Sequence, residues 1–150
     1  MANQQTSPDK VVNETAVSAH EAPDSRKRVL LVEDDRSLRR YLEVVLRRAG
    51  YQVMPAVDGL EAMRVLLSSP VDVIITDAMM PNLNGHELVR FIRTAPSLSR
   101  LPVILLSAME DKESRDPTHK ADVYLSKPVA PEDLIAWIRK LGGSPENQTS

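Results

Sequence analysis

Apolar residues in this chain follow two alternating rhythms: short unbroken runs, and stretches spaced at three and four residues. The first rhythm is that of a strand covered on both faces, the second that of a helix with one buried stripe. The clearest run is Val71-Asp72-Val73-Ile74-Ile75-Thr76, β-branched almost throughout, and it ends on Asp77. Pro81 and Asn82-Leu83-Asn84-Gly85 then force a loop. An acid just past the carboxyl end of a buried parallel strand stands where open α/β sheets bind ligands.

The flanking segments repeat the theme. Lys27 to Val32 reads as a first strand, with Glu33, Asp34 and Asp35 directly after it. Leu38, Leu42, Val45, Leu46 and Ala49 predict a helix that Gly50 stops. Tyr51 to Pro55 predicts a short second strand. Asp58 can cap a second helix with Ala62, Met63, Leu66 and Leu67 as its stripe, broken at Ser68-Ser69-Pro70. Leu88, Phe91 and Ile92 define a third helix, capped by Asn84 and ended at Pro96. Val103 to Leu106 is a fourth strand closing on Ser107, and Val123 to Ser126 a fifth closing on Lys127-Pro128. Pro131 opens a last helix, with Leu134, Ile135, Ile138 and Leu141 inward and Trp137 beside them, before Gly142-Gly143. Strands alternating with helices argue for parallel βαβ units. The expected architecture is an α/β three-layer sandwich on a five-stranded sheet; the pattern alone does not give the strand order.

Composition narrows the picture. The 150 residues suit one domain, and 42% hydrophobic with only 3% aromatic means aliphatic side chains fill the core. The absence of cysteine excludes disulfides and thiolate zinc sites, and fits a cytoplasmic setting. A net charge of -2 with interspersed signs gives no basic stripe, so no nucleic-acid partner is expected. No apolar run approaches the roughly 18 residues of a membrane span, and the N-terminus has no signal-peptide pattern. Residues 1–25, rich in Asn, Gln, Ser, Thr and acids, read as a disordered arm, and 143–150 as a disordered tail, around a domain at 26–142. The stretch from Gly142 to Ser150 is too short for a helix-turn-helix. The expectation is a domain that acts by docking to a partner, or a piece of a longer protein.

The predicted strand ends carry four kinds of polar group: Glu33-Asp34-Asp35, Asp77, Ser107 and Lys127. In a parallel sheet all four reach one edge. Crowded acids raise one another's pKa, and a divalent cation relieves the repulsion. Magnesium suits an oxygen-only, partly hydrated site. Asp34 and Asp77 are candidate direct ligands, with Glu33 acting through water. A carboxylate with a metal, a lysine and a hydroxyl around it makes a phosphoryl-transfer site: metal, Lys127 and Ser107 each take one equatorial oxygen while Asp77 attacks in line. Each residue also has a plainer reading. Asp77 alone could be a turn acid, the three acids a helix N-terminus, Lys127 a solvated end and Tyr124 an ordinary strand residue. His20, His86 and His119 share no ligand spacing. The pairs Arg39-Arg40 and Arg47-Arg48 read as the wet face of the first helix.

The set Leu31-Val32-Glu33-Asp34-Asp35, Asp77-Ala78-Met79-Met80-Pro81 with Gly85, Ser107-Ala108 and Lys127-Pro128 resembles the receiver domain of two-component response regulators, from about Arg28 to Leu141. Each piece is weak alone; the ordered combination is specific. The resemblance implies a flavodoxin-like sheet in the order 2-1-3-4-5 with about five helices. It implies Asp77 as phosphoacceptor, Glu33 and Asp34 as the acidic pair, and the backbone carbonyl of Met79 as a further magnesium ligand. It implies Ser107 as switch hydroxyl, Tyr124 as switch aromatic and Lys127 as the invariant lysine, with a cis Lys127-Pro128 bond. The donor implied is a phosphohistidine on a histidine kinase or phosphotransfer protein, and the output a downstream protein. Such a domain catalyses only its own phosphorylation and dephosphorylation.

A flavodoxin needs a hydroxyl- and glycine-rich phosphate loop where this chain has three acids. An aspartyl phosphohydrolase usually has a second acid two residues on, where Met79 stands. A pseudo-receiver that binds partners without phosphorylation is the strongest rival. The chain departs from the receiver pattern between Met109 and Lys120, where a fourth helix usually lies. Met109 is the only large apolar residue there, and Pro117 limits any helix to about eight residues, below the roughly 12 of a marginal one. A frayed turn or mobile loop is expected instead.

Overall fold

The computed structural model describes residues 25–108 and 119–142. Its strands are β1 (Arg28–Val32), β2 (Gln52–Ala56), β3 (Val73–Asp77), β4 (Val103–Ser107) and β5 (Val123–Ser126). Its helices are α1 (Arg36–Arg48), α2 (Gly59–Ser68), α3 (Gly85–Thr94) and α4 (Pro131–Gly142). All strands are parallel in one sheet of order β2-β1-β3-β4-β5. This is the flavodoxin-like sheet implied by the resemblance, with four helices among the described residues. The N-terminal arm before Ser25, the tail after Gly142 and most of the Met109–Lys120 stretch lie outside the described residues.

The two-residue period of the strands divides the core. Leu30, Val32, Ile74, Val103 and Leu105 face α2 and α3, packing with Ala62, Leu66, Leu88 and Ile92. Val29, Leu31, Val73, Ile75, Ile104 and Leu106 face α1 and α4, packing with Leu42, Leu46, Leu134 and Ile138. Both faces are covered, so β1, β3 and β4 are apolar almost throughout. Pro55 lies in β2, an edge strand, where a missing N–H leaves no ladder bond unmade.

Local chemistry sets the helix ends. Asp58 caps α2 by accepting from Glu61 N at 2.9 Å. Asn84 and Glu87 form a reciprocal capping box at the start of α3, each bond 2.9 Å. At the end of α1, Gly50 adopts φ 102° and donates to Arg47 O at 3.0 Å, while Tyr51 N donates to Leu46 O at 3.2 Å. That pair of bonds is a Schellman stop, and the left-handed residue in it favours glycine.

Three expectations need correction. β2 begins at Gln52, because Tyr51 completes the helix stop. β3 begins at Val73 and contains Asp77; Asp72 instead ties down the neighbouring strand, its Oδ2 accepting from Arg28 N at 2.7 Å. Leu67 is not in the α2 stripe but is 72% exposed. Gly59, Ala62 and Leu66 form the buried line, and Leu67 lies a further ~100° around the helix.

Candidate functional site

Parallel strands bring their carboxyl ends to one edge of the sheet. At that edge Glu33, Asp34 and Asp77 offer carboxylate oxygens that all lie within 4.8 Å of one another. Glu33 and Asp77 are buried and Asp34 is exposed. Lys127 reaches in from the end of β5, its Nζ 3.1 Å from Asp77 Oδ2 and 3.4 Å from Glu33 Oε1. Asp35 is occupied differently: its carboxylate caps α1, accepting from Leu38 N at 3.0 Å, and its own N–H donates to Glu33 Oε2 at 3.0 Å. It stands apart from the three-carboxylate group.

The charges are unbalanced, with three acids facing one lysine. Burial pushes the Glu33 carboxyl up to about 7; the Asp35 N–H favours its anion, Asp77 raises it further, Lys127 lowers it and Asp34 raises it. Burial pulls Lys127 down, but Asp77 and Glu33 more than offset this, so its pKa lies above the ordinary lysine value. Lys127 is therefore a cation throughout the neutral range. Glu33 Oε1 is buried and accepts no hydrogen bond among the described residues. An orphaned buried carboxylate oxygen beside two more carboxylates fits a hard divalent cation.

The loop after Asp77 is held at several points. Ala78 N donates to Leu106 O at 2.8 Å, and Ala78 O accepts from Gly85 N at 2.9 Å, closing the loop where α3 begins. Gly85 leaves no room for a side chain: a Cβ there would collide with Asp77 O and come within 2.8 Å of Ala78 Cα. Asn82 takes φ 68° and donates through Nδ2 to Asp58 Oδ2 at 3.0 Å, pinning the loop to the cap of α2. Met79 is 61% exposed. Arg39 on α1 donates to Glu33 O at 2.7 Å, tying that helix to the first acidic loop. Asp58, Asn82 and Arg39 were not among the candidates; only the capping role of Asp58 was visible in the sequence.

Ser107 ends β4 one residue after Leu106, the register partner of Asp77, and its carbonyl accepts from Lys127 N at 2.8 Å. It therefore lies at the same sheet edge as the acids. The Lys127–Pro128 bond is cis. Tyr124 lies lower in β5, paired with Leu105 and exposed; its hydroxyl accepts from Ala121 N at 3.0 Å. It belongs to the flank of the site and not to the acidic cluster.

The comparisons agree with this geometry. Residues 29–139 match the family model described as the response regulator receiver domain. The chain is 37% identical over 115 residues to the transcriptional regulatory protein GltR of Pseudomonas aeruginosa, covering 75% of this chain and 48% of that protein. It is 39% identical over 116 residues to the response regulator MprA of Mycobacterium avium, covering 76% of this chain and 50% of that protein. The chain thus spans about half the length of these relatives. Among solved structures, the receiver domain of a histidine kinase from Syntrophus aciditrophicus superposes with TM-score 0.73 at 31% identity, covering 83% of this chain and 96% of that one. The receiver domain of the sensor histidine kinase PA1611 of Pseudomonas aeruginosa, solved with a magnesium ion coordinated in its active site cleft, gives 0.72 at 30% identity, covering 79% and 99%. Motif order, strand order and sequence similarity converge, and the chain belongs to the receiver-domain family of response regulators.

Proposed function

We propose that this domain is a phosphorylation-dependent signalling switch that accepts a phosphoryl group on Asp77. The observation that carries the reading is the buried Asp77 carboxylate, paired with Lys127 Nζ at 3.1 Å and set beside Glu33 and Asp34. Asp34 and Asp77 would hold a magnesium ion together with the Met79 carbonyl, and Glu33 through water. Once bound, the ion supplies positive charge for the phosphoryl oxygens. A carboxylate oxygen of Asp77 forms a bond to phosphorus as the phosphorus–nitrogen bond of a donor phosphohistidine breaks, and the imidazole leaves. Lys127 is placed to hold one phosphoryl oxygen and the Ser107 hydroxyl another. The chemistry is confined to the domain's own phosphorylation and dephosphorylation. The donor is a histidine kinase or histidine phosphotransfer protein, and the output is altered affinity for a partner protein.

The test is incubation with acetyl phosphate and magnesium, read by intact mass. The wild type should gain one phosphoryl group and Asp77→Asn none. Lys127→Ala should still be labelled but lose the accompanying conformational change. Full labelling of Asp77→Asn would reject the assignment. No labelling of a folded, magnesium-binding wild type would leave the pseudo-receiver, a docking module independent of phosphorylation, as the better reading.

A further inference from the structure

At the opposite edge of the sheet from the acids, Arg93 on the last turn of α3 makes four hydrogen bonds. Its Nη1 donates to Leu101 O at 2.7 Å and to Ser99 O at 3.2 Å, holding the segment that leads into β4. Its Nε donates to Lys120 O at 2.9 Å and its Nη2 to Asp122 Oδ2 at 2.9 Å, holding the residues on either side of Ala121. Asp122 Oδ2 also accepts from Val103 N at 2.7 Å, so the clamp joins the starts of β4 and β5. The Arg93 side chain is only 13% exposed. Ala121, fixed between these two anchors, donates its N–H to the Tyr124 hydroxyl at 3.0 Å. The other end of α3 rests on the phosphoacceptor loop through Gly85 and Ala78. One ten-residue helix therefore connects the Asp77 loop to the backbone that holds Tyr124.

We propose that Arg93, the clamped 120–122 backbone and the Tyr124 hydroxyl form a latch that holds the unphosphorylated conformation. This inference rests on the phosphoacceptor reading for its ligand but not for its geometry. Arg93 is a positioning residue. Its planar fork holds three carbonyls and a carboxylate at once, which a lysine ammonium cannot reproduce. The Ala121–Tyr124 bond is a single neutral hydrogen bond at a half-exposed side chain, easily exchanged for water. A latch of that strength biases an equilibrium without locking it. A ligand that favours the unlatched state must bind more tightly once the latch is removed, by the factor the latch contributes.

The experiment compares wild type, Tyr124→Phe and Arg93→Lys in two measurements. The first is amide exchange at Ala121 without phosphoryl ligand. Both variants should exchange there severalfold faster than wild type, while the core strands β1 and β3 keep their protection. The second is the affinity for beryllofluoride with magnesium. Tyr124→Phe should bind about fivefold more tightly, the factor equivalent to one neutral hydrogen bond. Simple structural damage would weaken that binding. Unchanged exchange at Ala121 in Tyr124→Phe, or beryllofluoride affinity equal to or below wild type, overturns the latch. Failure of the wild type itself to bind beryllofluoride counts against the phosphoacceptor reading, and the exchange measurement then still decides whether the clamp exists.

Discussion

Glu33 is a carboxylate that the fold holds almost out of water, so its titration is linked to stability. Its pKa of about 7 in the folded chain lies above the ordinary 4.5. The sign follows. Glu33 contributes stability that is fully present below the ordinary value and is lost as pH rises through about 7. In divalent-free buffer, Glu33→Gln should therefore stabilise the protein more at about pH 8 than at about pH 5, by up to ~3 kcal/mol. Urea midpoints of both proteins at the two pH values test this, and an equal difference at both would contradict it. Lys127 does not confuse the comparison, because its raised pKa places its own loss above the ordinary lysine range. Met79 gives a second prediction. Its apolar side chain and that of Met109, which lies outside the described residues, stand at positions that flank the path of attacking water in receivers. Exchanging both for asparagine should shorten the life of the phosphorylated state, measured as decay of the phosphorylated mass after removal of acetyl phosphate.

At the scale of elements, α3 has the tightest fit. A methyl group at Gly85 meets backbone at Asp77 and Ala78, which cannot swing aside as a side chain can. Gly85→Ala should cost about 1–3 kcal/mol by overpacking and should slow labelling of Asp77 by moving its loop. Denaturation midpoints and initial labelling rates together separate the two effects. α2 offers a contrast between neighbours. Leu66→Ala should cost about 2–4 kcal/mol, while Leu67→Gln should stay within about 0.5 kcal/mol. The apolar count in the sequence gives both leucines equal weight, because periodicity says which residues share a stripe but not how wide the buried stripe is. The same limit applies to Val71 and Asp72. A β-branched run announces a strand, yet an Asp72 carboxylate that accepts from a neighbouring strand's N–H delays its start by two residues, a contact invisible in one dimension.

Across the whole molecule, the candidate site was legible because each of its groups sits at the end of an apolar run, and runs are what a sequence displays. Asp77, Glu33, Asp34, Ser107 and Lys127 needed only the assumption of parallel strands to converge. The strand order needed the family resemblance, because connection lengths allow several orders. Arg93 was not legible at all. Its partners are carbonyls of Ser99, Leu101 and Lys120 and the carboxylate of Asp122, and nothing in an isolated arginine codon distinguishes a clamp from a solvated helix end. Asn82 and Asp58 were hidden for the same reason, since their bond spans two loops.

The all-parallel order of the sheet also governs how the molecule is made. No strand can pair with its neighbour across a tight turn, so every ladder waits for a crossover to be synthesised and folded. β1 emerges first, yet it must wait for β3 to fill its second side. Lys127 arrives last of the charged groups, so the nascent chain carries its acids without their cation until β5 is out. A chain released before β5 would leave Val103-Ile104-Leu105-Leu106 as an uncovered apolar edge, the kind of surface that recruits other chains. Premature termination should therefore yield aggregation rather than a smaller working domain, visible as loss of monomer when translation is stopped at Ala121.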